Sequence, residues 1–189
     1  LKYNGCRVVG IDVSDKQLQL AAELGVVAYK DNEDHRRQIV DATSVGGVDA
    51  VLITAAAQDD VILRNSARLA RKRGRVVLVG VCDIKVDRSE LYEKEIEFTV
   101  SCSYGPGRYD DSYEQAGIDY PSAYVRWTEN RNFGAILNIM RESNFSPSRF
   151  IVNEYSLEQA PALYDQLVKK NVSTALIDYN SAQSGTLGH

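Results

Sequence analysis

Four short runs of consecutive apolar residues, at 6–11, 26–29, 49–54 and 75–80, dominate the first eighty positions. None alternates strictly with polar residues. Strands of that kind are buried on both faces, which happens when a parallel sheet is covered by helices on each side. The segments between the runs have helical composition: 15–24, 32–43 and 59–73. The order strand, helix, strand, helix, strand, helix, strand therefore predicts an α/β, doubly wound, mostly parallel fold. Crossovers of this type are right-handed, so few topologies remain.

Local punctuation supports the same division. Ser14 is placed to cap the first helix, in which Leu18, Ala21, Ala22 and Leu24 share a face. Gly25, the pair Gly46–Gly47, and Gly74 each stand where a helix should stop. Asp59 and Asp60 open the third helix and basic residues close it, matching the helix dipole. After Val81 the rhythm changes. A short helix is expected at 89–94, a strand at 97–103, and a Gly-, Tyr- and Asp-rich loop at 104–120. A helical region follows at 122–142, with a break near 130–132. Then come a strand at 150–152, a helix at 156–170 capped by Ser156, and a strand at 174–179. The expected organisation is a partial dinucleotide-binding domain over 1–120, helices and strands over 121–180, and a disordered tail over 181–189.

Composition narrows the function classes. The 189 residues carry 22 basic and 26 acidic side chains, a net charge of −4 that argues against a nucleic-acid platform. No apolar run approaches the ~20 residues that span a bilayer. Three cysteines, Cys6, Cys82 and Cys102, are odd in number and far apart. They read as reduced thiols in a cytoplasmic protein, with Cys82 and Cys102 as buried small apolar groups. Residues 1–5 are read as leading directly into the first strand rather than as a signal peptide. Leu1 in place of Met, with a strand following almost at once, is read as the mark of a piece cut from a longer protein.

Asp12 is the sharpest chemical signal. A carboxylate at the end of a strand, just before a helix, can accept hydrogen bonds from ribose hydroxyls and repel a 2′-phosphate, favouring NAD over NADP. It is equally what the helix dipole prefers at that place, and both readings stand. The run Arg68, Arg71, Lys72, Arg73 and Arg75 reads as a solvated helix end rather than a phosphate site. The cysteines, with His35 on an exposed helix and His189 at the end, show no metal-ligand spacing. Tyr104, Tyr109, Tyr113, Tyr120 and Tyr124 cluster, followed by Trp127. Such rings stack on sugars or pack surface loops, and both uses fit. No Tyr-x-x-x-Lys, Gly-x-Ser-x-Gly or Walker pattern occurs.

Taken in order, Cys6 to Asp12, then Leu-Ala-Ala-Glu-Leu-Gly25, Gly47-Val-Asp49 and Gly74 to Val81 resemble the nucleotide-binding half of the medium-chain dehydrogenase/reductase superfamily, the zinc-dependent alcohol dehydrogenases. Tyr155 to Ala160 and Ser173 to Tyr179 are similar to the segment returning to that family's catalytic domain. Ser103 to Tyr113 and Tyr124 to Arg131 are similar to large bacterial two-module oxidoreductases, which join such a dehydrogenase to a sugar-type dehydrogenase module and often accompany polysaccharide biosynthesis genes. The resemblance implies NAD as cofactor, with Asp12 and Val13 at the adenosine ribose. Gln17 falls where the family often has a ribose-holding Lys, a role open to Lys16. Thr54, Ala55 and Ala56 would line the adenosine side. Val79, Gly80 and Val81 would approach the nicotinamide ribose and carboxamide. Ser101, Cys102, Ser103 and Tyr104 would flank the nicotinamide.

The resemblance also implies a Rossmann-like sheet lacking its first strand, Gly-rich turn and first helix, so that the pyrophosphate loses its main anchor. Zinc and its ligands would belong to the parent enzyme and not to this chain, which would be inactive alone. With the central strand missing, the sheet must keep a gap, pair directly across it, or recruit another chain, which predicts a swapped or rearranged homo-oligomer. The substrate expected is small and sugar-like. Two alternatives share Asp12: a methyltransferase core using S-adenosylmethionine, and a non-catalytic NAD-sensing domain.

Overall fold

The computed structural model describes residues 1–143, 145–150, 153–169, 171–172 and 174–179. The chain divides into one unit over Leu1–Asn132 and a second beginning at Phe133. In the first unit, β1 (Val9–Asp12), α1 (Asp15–Glu23), β2 (Val27–Lys30), α2 (Glu33–Asp41), β3 (Val48–Ile53), α3 (Val61–Leu69), β4 (Ala70–Leu78), α4 (Arg88–Tyr92), β5 (Glu97–Val100) and the short α5 (Asp111–Glu114) follow in order. α6 (Glu129–Glu142) carries the chain into the second unit, which holds β6 (Glu154–Ser156), α7 (Ala160–Val168) and β7 (Leu176–Asp178).

Every strand pairing is parallel, as continuous apolar strands require. The strands do not form one sheet. β1 pairs with β2, β3–β4–β5 form a second sheet, and β6 pairs with β7. Thus β1 and β3 each keep one side without a strand partner among the described residues. Of the three arrangements expected from the resemblance, direct pairing of β1 with β3 is not seen among the described residues.

The core of the first unit lies on the three-stranded sheet. Ile53, Ala70, Val76 and Leu78 pack with Leu63 of α3, and Cys82, Val86, Ile96 and Phe98 surround them. Leu63, Ser66, Ala67 and Leu69 form the buried stripe of α3 at helical spacing. The Ser66 hydroxyl turns back to the Ile62 carbonyl at 2.7 Å, so its burial leaves no unpaired donor. Lys94 caps the end of α3 from outside: its Nζ donates to the carbonyls of Arg68 (2.6 Å) and Ala70 (2.9 Å). Those carbonyls have no partner within the helix.

The third helix is shorter than its charge pattern suggests, and this changes the reading of the basic run. α3 ends at Leu69 and β4 begins at Ala70, with a register shift between Val48 and Ala50 of β3. Arg71 and Arg75 therefore stand on a strand, paired with Asp49 (2.7 Å) and Glu97 (2.8 Å), while Arg68 pairs with Glu90 (2.8 Å). Gly74 lies inside β4 and does not end a helix. The helix expected from 122 begins only at Glu129; turns occupy the stretch after Pro121. Residues 147–150 form a 3-10 turn, and 151–152 of the expected strand there lie outside the described residues, as does the 181–189 tail. Ser156 caps as expected, in a reciprocal box with Gln159, but it opens a 3-10 turn, Leu157–Gln159, ahead of α7.

Leu63 has no exposed surface. Its replacement by Ala is expected to destabilise the fold by about 3 kcal/mol, measured as a lowered urea midpoint at unchanged slope.

Candidate dinucleotide-binding site

Asp12 closes β1 and is half-buried. Its Oδ1 accepts the Ser14 N–H at 2.8 Å, and its backbone carbonyl accepts the Asp31 N–H at 3.0 Å. Ser14 occupies the N-cap of α1 without a side-chain cap bond. The carboxylate does the capping instead, from two residues upstream. Among the described residues no protein donor reaches Oδ2, so one oxygen is fixed and the other is free for a hydroxyl. Val13 and Gln17 are exposed beside it at the start of α1, as is Lys16.

The other predicted residues collect at the carboxyl ends of β3, β4 and β5. The Val79 and Gly80 N–H groups both donate to the Ile53 carbonyl (2.9 and 2.8 Å). Val81 N–H donates to Ala55 O at 3.3 Å, Ala57 N–H returns to Val81 O at 2.9 Å, and Ala56 and Val81 form an isolated parallel bridge. Such an approach tolerates only glycine at 80: a Cβ there would sit 2.0 Å from the Ala55 carbonyl oxygen. Ser101 N–H donates to Leu78 O at 2.8 Å, adding the end of β5. Backbone hydrogen bonds thus join the segments 53–57 and 79–81 and tie Ser101 to the end of β4, with Thr54 lying between bonded residues and Cys102, Ser103 and Tyr104 following directly in sequence. Asp12, Val13 and Gln17 stand at the carboxyl end of the separate β1–β2 pair. Ligands of open α/β sheets bind at such strand ends.

β5 ends at Val100, so 101–104 form a turn rather than more strand. The chain then enters a tightly bonded loop. Glu114 accepts the Tyr104 hydroxyl and, at 2.7 Å, the Arg108 guanidinium. Asp110 accepts the Tyr120 hydroxyl and the Ser112 N–H at 2.9 Å. The Tyr113 ring lies between those of Tyr104 and Tyr120, at centroid distances of 6.4 and 6.0 Å. It sits where a side chain at Gly107 would be, 2.5 Å from a Cβ there, and Gly107 has φ +103°. Arg131 closes the far end through Asp119 (3.1 Å) and the carbonyls of Tyr120 and Val125. The hydroxyl bonds hold both carboxyls below their usual range and push the Tyr104 and Tyr120 phenols up.

Asp110 and Glu114 are the residues that sequence reading missed. No sequence pattern marks them: each lies ten residues from the tyrosine it meets, Tyr104 to Glu114 and Asp110 to Tyr120. Two further expectations need correction. Cys102 is exposed, not buried, because the strand stops before it. His35 is half-buried, not exposed: its Nδ1 bonds the Lys30 carbonyl at 2.7 Å and its ring leans on Tyr29. Among the described residues no three His, Cys, Asp or Glu side chains group as metal ligands.

Parallel strands with covering helices and a carboxylate at a strand end define a Rossmann-like nucleotide-binding fold. The sequence profile of the zinc-binding dehydrogenase family matches residues 1–117, more than half the chain, and the protein belongs to that family. The fold is similar to that of alcohol dehydrogenase TADH from Thermus sp. ATN1, at 20% identity and a TM-score of 0.67, over 90% of this chain and 43% of that one. It is similar to L-idonate 5-dehydrogenase from Escherichia coli K-12, at 18% identity and TM-score 0.62, over 92% and 43%. An alcohol dehydrogenase from E. coli CFT073, complexed with cofactor NADH, matches at 14% identity and TM-score 0.64, over 93% and 45%. The chain therefore spans less than half the length of these enzymes.

The loop bonds set a pH window. A carboxyl lowered by folding contributes stability that is complete above its unfolded pKa and lost as pH falls through the folded one. A raised phenol contributes below its unfolded pKa and loses this as pH rises through the folded value. Near-ultraviolet tyrosine dichroism of the loop should therefore be flat at neutral pH. It should collapse only below the ordinary carboxylate range and above the ordinary tyrosine range. A transition near pH 7 would contradict these hydrogen bonds.

Proposed function

We propose that this chain holds the dinucleotide in an NAD-dependent oxidoreductase acting on an alcohol, a polyol or a sugar-like substrate. The observation that carries the reading is Asp12, whose Oδ1 is fixed by Ser14 while Oδ2 has no donor among the described residues. That oxygen accepts an adenosine-ribose hydroxyl, and the carboxylate repels a 2′-phosphate, which selects NAD over NADP. Val13 and Gln17 flank the same ribose. Thr54, Ala55 and Ala56 line the adenosine side; Val79 to Val81 meet the nicotinamide ribose and carboxamide; Ser101 to Tyr104 flank the nicotinamide. NAD, when bound, supplies the hydride acceptor. The role of these residues is to bind and orient it.

The residues present fit the two ends of a dinucleotide but not a zinc ion, since no ligand cluster exists among those described. No catalytic group is assigned to this chain, whose role in this reading is to bind. The sugar-like substrate class rests on the tyrosine loop beside the nicotinamide end. The cytoplasm is the compartment this reading gives it, resting on three cysteines without disulfides; no described helix is long and apolar enough to cross a membrane. Self-association belongs to the same reading. The open sides of β1 and β3 expose parallel strand edges, and the occupant proposed is a strand from a second copy.

Four outcomes test this. In ligand-detected NMR on the 189-residue chain, saturation should pass to the adenosine-ribose and nicotinamide protons of NADH, with Kd on the order of 1 mM in the absence of a Gly-rich pyrophosphate turn. Asp12→Asn should weaken binding on the order of tenfold. Stronger transfer to S-adenosylmethionine than to NADH would sink the reading in favour of a methyltransferase. The chain supplied with NAD should oxidise no alcohol; measurable turnover would overturn its binding-only role. Sedimentation should give a dimer or higher oligomer, and a monomer at high concentration would remove the strand-exchange proposal.

A further inference from the structure

Between the end of β5 and α5 the backbone takes a positive φ at every second residue: Ser103 (46°), Gly105 (92°), Gly107 (103°) and Tyr109 (65°). Glycine adopts such values freely, but a bulky aromatic side chain does not. Tyr109 is therefore held in a disfavoured conformation, and a burial gain does not explain it, because the residue is 77% exposed. Strain maintained at an exposed ring points to use of that ring.

Its surroundings are fixed. The Arg108 guanidinium lies 4.3 Å from the centroid of the Tyr109 ring and 5.8 Å from that of Tyr104. Arg108 is in turn held by Glu114 at 2.7 Å, and Glu114 also accepts the Tyr104 hydroxyl. One carboxylate thus ties the cation under the Tyr109 ring to Tyr104. One face of Tyr109 is stacked on a cation, and the other is presented to solvent in a set orientation.

We propose that this outer face is the stacking platform for the ring of a neutral, polyhydroxylated substrate, a proposal that rests on the dehydrogenase reading above and names its specificity residue. The chemistry around the ring decides the class. A cationic ligand is disfavoured because Arg108 already occupies the opposite face. An anion gains nothing from Arg108, which Glu114 neutralises, and would meet the neighbouring Asp110 and Asp111. A flat apolar partner would need a broad apolar surface, whereas the adjoining side chains are charged. A sugar ring offers an apolar C–H face to the tyrosine and hydroxyls to the carboxylates and to the phenol edge.

The test is ligand-detected saturation transfer on the 189-residue chain with D-glucose, glucose 6-phosphate, 1-butanol and NADH as separate probes, using wild type, Tyr109→Asn and Tyr109→Phe. Asn accepts positive φ, so Tyr109→Asn should melt within about 2 °C of wild type or above it. Glucose should bind wild type and Tyr109→Phe, lose at least about fivefold in affinity with Tyr109→Asn (about 1 kcal/mol), and bind better than the phosphate or the butanol. Unchanged glucose binding in Tyr109→Asn, no glucose binding at all, or a melting temperature well below wild type would each overturn the proposal. NADH binding separates the two levels. NADH bound without glucose leaves the dehydrogenase reading and removes the platform. Glucose bound at Tyr109 without NADH keeps the platform and removes the dehydrogenase reading.

Discussion

The backbone seam between the segments after β3 and β4 is the constraint on which the candidate site depends. Ile53 O takes two N–H donors, Ala55 O takes the Val81 N–H while Val81 O takes the Ala57 N–H, and Gly80 permits the approach because it has no Cβ. The seam continues the sheet register past the last strand residues, so that side chains at 54–56 and 79–81 end on one edge. It is built from main-chain groups, and these residues can therefore be small and varied while their positions stay fixed. A dinucleotide held as proposed would meet shape and backbone polarity at this edge, and a carboxylate at Asp12 on the separate β1–β2 pair.

The loop after β5 uses the opposite strategy. Here side chains carry the geometry: three carboxylates, two tyrosine hydroxyls, two arginines and a three-ring stack hold a segment with little regular structure. Loops ordered by their own side chains can present groups that a strand end cannot. Tyr104 shares its carboxylate with Arg108, which ties the turn after β5 to the outer loop.

Much of the fold was legible because it obeys simple pattern. Continuous apolar runs forced parallel pairing, and Gly25 ended α1 with positive φ as a glycine after a helix should. The strand ends then placed Asp12 and residues 54–56 and 79–81. The errors fell where tertiary partners override local preference. Arg71 and Arg75 look like a helix terminus until Asp49 and Glu97, each twenty-two residues away, pair with them across strands. His35 looks solvent-facing until Lys30 offers a carbonyl. Asp110 and Glu114 could not be singled out among so many acids, since what distinguishes them is the tyrosine each one meets, and contact over ten residues leaves no periodic trace.

The two parts of the candidate site rest on unequal foundations. β3 to β5 stand on fully buried Leu63 and Val76, whereas β1, α1 and β2 contain no fully buried residue. Segments with few buried contacts open at lower free energy than the core beside them. The layer that bears Asp12 is then the one whose order a ligand can most alter, since anything bound to its closed form adds directly to its stability. Under the proposed reading, ribose recognition and the ordering of that layer become one linked equilibrium, in which part of the binding free energy appears as local protection from hydrogen exchange rather than as affinity.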